Sequence, residues 1–150
     1  MQLKGKKVAF LGDSITQGCG TKIEGDIYPN GYVGVVERIS GAICYNHGLS
    51  GTRIAKKINP TVPANPHDLD FNLRVKDIPS DMDVIVVFGG TNDFGHGDAP
   101  LGDFSSRDGY TFYGALHLLC EYLLNKFPNA YILFMTPLHR CSEMATINEF

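Results

Sequence analysis

The run Val84-Ile85-Val86-Val87-Phe88 holds five apolar residues in a row with no alternation. A strand with one wet face alternates apolar and polar residues. A strand that is apolar throughout must be covered on both faces, as in a parallel sheet between helix layers. Three further segments read as strands of the same sheet: Lys7 to Leu11, Ala42 to Asn46 and Tyr131 to Met135. Parallel neighbours need crossover connections, and the intervening sequence supplies helical patterns. Tyr32, Val33, Val36 and Ile39 follow Pro29 at helical spacing, and Gly41 can stop that helix. Phe112, Ala115, Leu116, Leu119, Tyr122 and Leu123 form one apolar stripe within a helix expected from about 109 to 127. Asp108 is the expected cap of that helix and Pro128 its end. Short helices are expected over 53–58 and 72–78, separated by a loop holding Pro60, Pro63 and Pro66. No repeat or interdomain linker interrupts this order. The pattern predicts one α/β domain over residues 1–150 with a doubly wound parallel sheet.

The apolar fraction of 43% suffices for a core, and the net charge of −3 comes without a long Lys/Arg run. No nucleic-acid footprint is present. The N-terminal apolar stretch, Val8 to Leu11, is too short for a signal peptide or a membrane span. Cys19, Cys44, Cys120 and Cys141 lie far apart and form no C-x-x-C pair, which argues against a metal or disulfide framework. A cytoplasmic protein with reduced thiols is expected, with Cys44 and Cys120 packed rather than reactive.

The first three strands each end in polar residues mixed with glycine: Gly12-Asp13-Ser14, then Asn46-His47-Gly48-Leu49-Ser50-Gly51, then Gly89-Gly90-Thr91-Asn92-Asp93. The carboxyl ends of parallel strands share one rim, where open α/β sheets hold their ligands. A serine nucleophile needs a base, and its tetrahedral intermediate needs donors aimed at the oxyanion. Ser14 can attack. The backbone N–H groups of Ser14 and Gly48 and the side-chain amide of Asn92 can donate. The bland alternatives are a helix-capping serine at position 14 and an Asx turn at position 92. Asp13 is expected to have a structural role, capping the helix that follows it or holding the turn, and Asp93 to fix its own loop by hydrogen bonds.

These motifs resemble the SGNH, or GDSL, hydrolase superfamily. Gly12-Asp13-Ser14-Ile15-Thr16 is similar to its first motif, Gly48 falls where its second places a glycine, and Gly90-Thr91-Asn92-Asp93 matches its third. Thr136-Pro137 after the fourth strand resembles the family as well. The likeness runs from residue 7 to about 137. It implies a three-layer α/β/α sandwich with a parallel flavodoxin-like sheet, and a serine esterase or lipase acting through an acyl-serine intermediate, with Ser14, Gly48 and Asn92 as catalytic residues and no metal or organic cofactor. A small acyl group, such as acetyl on carbohydrate, is the expected substrate.

The family's last motif, Asp-x-x-His, supplies the base, and nothing after Met135 matches it. His139 has no aspartate three residues before it, and Asp93-Phe94-Gly95-His96 has the spacing but lies inside the third motif. A βαβ unit takes roughly 30 residues or more, and only fifteen follow Met135. A truncated domain with little or no turnover is therefore expected. The strand Tyr131 to Met135 should then be a sheet edge that pairs with a second copy of the chain. Two other readings stay open. One is a phosphate- or flavin-binding module on a flavodoxin-like rim, although no Gly-x-Gly-x-x-Gly or P-loop is present. The other is a nonfunctional fragment that only assembles.

Overall fold

The computed structural model describes residues 2–21, 31–96 and 98–138. Four strands form one parallel sheet in the order β2-β1-β3-β4: β1 Lys7–Gly12, β2 Ile43–Gly48, β3 Val84–Phe88 and β4 Tyr131–Met135. The first two are each longer at the carboxyl end than the apolar pattern marks, because Gly12 pairs with Gly48 on one side and with Phe88 on the other. That register brings three strand ends level along one rim.

Five helices accompany the strands among the described residues: α1 Ser14–Gln17, α2 Gly31–Ser40, α3 Phe71–Arg74, α4 Thr91–Gly95 and α5 Phe112–Lys126. Alternate strand residues serve the two faces. Ala9, Leu11, Ile85 and Val87 pack under Phe71 and Val75 and under the α5 stripe of Phe112, Ala115, Leu119 and Leu123. Val8, Phe10 and Val84 face the other way and meet Val33 of α2, with Tyr32 and Val36 beside it. Both faces of β1 and β3 are thus covered, which is why their sequences do not alternate. The fold is the expected α/β/α sandwich with a flavodoxin-like parallel sheet.

β4 differs. It pairs only with β3 among the described residues, and Tyr131, Leu133, Phe134 and Met135 are 63%, 50%, 42% and 43% exposed. Tyr131, Leu133 and Met135 align with Val84, Val86 and Phe88, on the face that α2 covers only over the other half of the sheet.

Two local expectations need correction. Residues 53–58 are not a helix. The N–H groups of Ile54 and Ala55 donate to the Asp93 carboxylate at 3.0 and 2.8 Å, and Lys56 N–H donates to the Gly109 carbonyl at 2.8 Å. Distant acceptors have taken the donors that a helix would use. Asp108 does not cap α5 either. Its carboxylate accepts from Tyr110 N–H, and Thr111 Oγ1 accepts from Gly114 N–H at the cap position. The helix expected over 72–78 begins one residue earlier, capped by Asp70, and tightens to a 3-10 turn at Val75–Asp77. Gly41 ends α2 as expected, with φ +67 and its N–H on the Glu37 carbonyl.

Candidate active site

The rim is built by three turns that follow three aligned strands. After β1, Asp13 occupies the cap position of α1 and its carboxylate accepts from Ile15 N–H at 2.9 Å. Ser14 is therefore the first helical residue and not the cap. Its N–H sits in the first turn, where helix donors lack intrahelical acceptors. Among the described residues, nothing holds the Ser14 hydroxyl by a hydrogen bond. Asp13 is 1% exposed, and burial pushes its carboxyl above the usual range, opposed by the Ile15 N–H and the charge of Arg74.

After β2, Asn46 bridges the turns. Its Nδ2 donates to the Thr16 carbonyl of α1 at 2.9 Å, and its Oδ1 accepts from Gly48 N–H at 2.9 Å. Ser50 N–H donates to Gln17 Oε1 at 2.7 Å, a second tie between α1 and this loop. The Gly48 N–H, expected to be free for an oxyanion, is thus directed at Asn46 in this state. The reason is an Asx turn two residues long. The lack of a side chain at Gly48 has a steric cause: a Cβ there would lie 2.1 Å from Gln17 N. The glycine lets α1, and Ser14 with it, lie directly against the end of β2.

After β3, Gly90 opens α4 with φ +102, a backbone geometry that favours glycine. Asn92 follows in the first turn, and its Nδ2 donates to the Thr52 carbonyl at 2.8 Å. One amide N–H of Asn92 is used, and the other has no partner among the described residues. Asp93 is 1% exposed and fixes the loop through the N–H groups of Ile54 and Ala55, as the sequence suggests. Burial raises its pKa above the ordinary value, against the pull of those two donors. The Asp93…His96 spacing does not make a dyad: the carboxylate points inward to the backbone while His96 is exposed at the end of α4.

Beneath the rim lies Arg74, 8% exposed. Its Nη1 donates to the Gly12 carbonyl at 2.8 Å and to Thr52 Oγ1 at 2.7 Å, and its Nη2 donates to the His47 carbonyl. Burial pulls the guanidinium pKa down to about 10, with Asp13 and Asp77 opposing. Sequence reasoning passed over Arg74. The signal was its place on the buried stripe Phe71, Arg74, Val75, Ile78, where an arginine is out of keeping with its neighbours.

Among the described residues, a polar and an apolar cavity flank the rim. The polar one, of about 280 Å³, is lined by Arg53, Lys57, His67, Asp68, His96 and Asp98. Lys57 pairs with Asp68 at 2.6 Å, Arg53 pairs with Asp98, and His67 Nδ1 meets the Ser50 carbonyl at 2.6 Å. The apolar one, of about 240 Å³, lies between α5 and the ends of β3 and β4, lined in part by Ile54, Gly89, Tyr113, Thr136 and Pro137. Cys44 and Cys120 are half-buried, and burial pushes the Cys44 thiol up to about 11; Cys19 is exposed. Tyr28, His139 and Cys141 lie outside the described residues. No cluster of three metal-ligating side chains occurs among the described residues, and no helix there is long and apolar enough to cross a membrane.

With this geometry in view, the comparisons are consistent. A family model described as GDSL-like lipase/acylhydrolase matches residues 10–149. One solved structure is 35% identical, covers 91% of this chain and 59% of its own, and superposes with a TM-score of 0.75. A protein from Lactobacillus plantarum is 32% identical with a TM-score of 0.73, the match covering 94% of this chain and 60% of that one. A candidate GDSL-like lipase from Bacteroides uniformis is 26% identical with a TM-score of 0.73, covering 94% and 75%. This chain therefore spans about 60% of the length of the first two relatives. The comparison with curated proteins gives no match.

Proposed function

Because the chain belongs to the GDSL-like lipase/acylhydrolase family, we propose that it carries the nucleophile and oxyanion half of a serine ester hydrolase. Ser14 Oγ adds to the ester carbonyl carbon, and the carbonyl electron pair moves to oxygen. The Ser14 N–H and the second N–H of Asn92 receive that oxyanion, joined by the Gly48 N–H when it exchanges its bond to Asn46 Oδ1 for the substrate oxygen. Collapse expels the alcohol and leaves acyl-Ser14, which water then hydrolyses. The observation that carries this reading is the register Gly12↔Gly48 and Gly12↔Phe88, which sets the three motif-bearing turns side by side.

The Ser14 proton passes to solvent water, since no histidine among the described residues bonds to that hydroxyl, and water returns a proton to the departing alcohol oxygen. A serine without a base is a weak nucleophile at neutral pH, and loss of a triad member lowers rates by several orders of magnitude. We expect slow hydrolysis of p-nitrophenyl acetate that Ser14→Ala abolishes. An undiminished rate in Ser14→Ala refutes the nucleophile, and brisk turnover by the chain refutes the missing base.

The polar cavity supports a hydroxyl-rich alcohol. Its two ion pairs and two imidazoles offer both donors and acceptors, as each sugar hydroxyl requires. It adjoins the oxyanion corner, since Arg53 follows Thr52, whose carbonyl holds Asn92. Acetyl on carbohydrate is the substrate this arrangement favours. The free thiols of Cys19, Cys44 and Cys120 favour a cytoplasmic setting. The exposed apolar strand β4 favours self-association through paired or exchanged fourth strands. Light scattering at micromolar concentration should report a dimer or larger species, and a monodisperse monomer refutes that assembly.

A further inference from the structure

We propose that Arg74 is a positioning residue for the oxyanion corner, acting on Gly48 through the peptide bond that His47 and Gly48 share. The carbonyl of that peptide accepts from Arg74 Nη2. The N–H of the same peptide is the Gly48 donor, which Asn46 Oδ1 holds at 2.9 Å until a substrate oxygen replaces it. A cation bonded to the carbonyl side of an amide polarises it and makes its N–H a stronger donor, the cooperative effect of linked hydrogen bonds in a low-dielectric setting. Arg74 is 8% exposed, so solvent screens this little.

The same guanidinium reaches the other two arms of the site. Nη1 holds the Gly12 carbonyl, two residues before Ser14. It also holds Thr52 Oγ1, on the residue whose carbonyl takes the Asn92 amide. One planar, rigid fork therefore sets the relative position of all three turns. A lysine, with one compact ammonium, cannot span those acceptors in the same way. No carboxylate neutralises Arg74 by direct contact among the described residues, so its charge acts on the three oxygens it touches.

This role rests on Ser14, Gly48 and Asn92 being the site, and its test separates the two. In the full 150-residue chain, ¹⁵N-resolved NMR reads the Gly48 amide proton, and mass spectrometry reads the rate at which a fluorophosphonate ester labels Ser14. In Arg74→Lys and Arg74→Gln we expect the Gly48 proton to move upfield and labelling to slow by about tenfold, less than the loss from deleting an oxyanion donor outright. A purely structural arginine would lower the melting temperature and leave both readouts of the folded variant unchanged; that result overturns the proposal. Should both variants unfold, the unmodified chain still decides. A scalar coupling across the Arg74 Nη2–H to His47 carbonyl bond supports the assignment, and its absence overturns it. A normal Gly48 signature without labelling of Ser14 would support the placement of Arg74 while removing the nucleophile.

Discussion

Replacing Gly48 with alanine tests the closeness of α1 to the end of β2. Gly48 has no positive φ, so alanine incurs no backbone penalty there. The cost is steric. The added Cβ would sit 2.1 Å from Gln17 N, 2.6 Å from Gln17 Cα and 2.6 Å from Thr16 C, all backbone atoms that cannot rotate away. Reaching an ordinary contact of 3.4 Å from the nearest atom means opening the gap by about 1.3 Å. That movement acts on α1, which Asn46 and Ser50 hold to the β2 loop at 2.9 and 2.7 Å. Overpacking costs about 1–3 kcal/mol, and each of these hydrogen bonds contributes about 0.5–1.5 kcal/mol if it breaks. A loss of about 2–6 kcal/mol follows, or a fall in melting temperature of roughly 4–24 °C for a chain of this size. Calorimetry would measure it. Gly109→Ala is the control: its Cβ would meet only Leu118 Cδ1 at 3.5 Å, and a change within about 0.5 kcal/mol is expected. Gly48→Ala melting within about 2 °C of the parent would refute the packing argument.

Two further outcomes follow from buried polar groups. Asp93→Ala strands the N–H groups of Ile54 and Ala55 in the core, at about 1–3 kcal/mol each; urea unfolding should show a loss of about 2–6 kcal/mol, and a loss below about 1 kcal/mol would contradict the assignment. Burial, then the charge of Arg74, pulls the His47 pKa below 6.5. The folded chain then binds fewer protons than the unfolded one, so this contribution is present above pH 6.5 and is lost as pH falls through the folded-state value. His47→Gln should flatten the dependence of the urea midpoint on pH in that window, and an unchanged slope would show that the ring titrates freely.

The parallel sheet was legible because its strands advertise themselves by burial on both faces. Val84 to Phe88 and Val8 to Leu11 are apolar in sequence and buried or nearly so in place. The three turns were legible because glycine beside Ser, Asn and Asp marks strand ends. What local pattern could not reveal is the identity of distant partners. Residues 53–58 look helical until Asp93, some forty positions away, takes two of their donors. Asp108 looks like a cap until its carboxylate turns to Tyr110 and Thr111 replaces it. Gly48 looks like a free donor until Asn46 folds back on it. Arg74 stands out in sequence only as an arginine on an apolar stripe; its role lies in three carbonyl and hydroxyl oxygens contributed by residues 12, 47 and 52.

Among the described residues, the far side of β4 offers a ladder with no neighbouring strand, dressed in tyrosine, leucine, phenylalanine and methionine. Under the self-association proposed above, concentration becomes a structural variable, and specific activity should change with dilution over the range in which light scattering reports assembly.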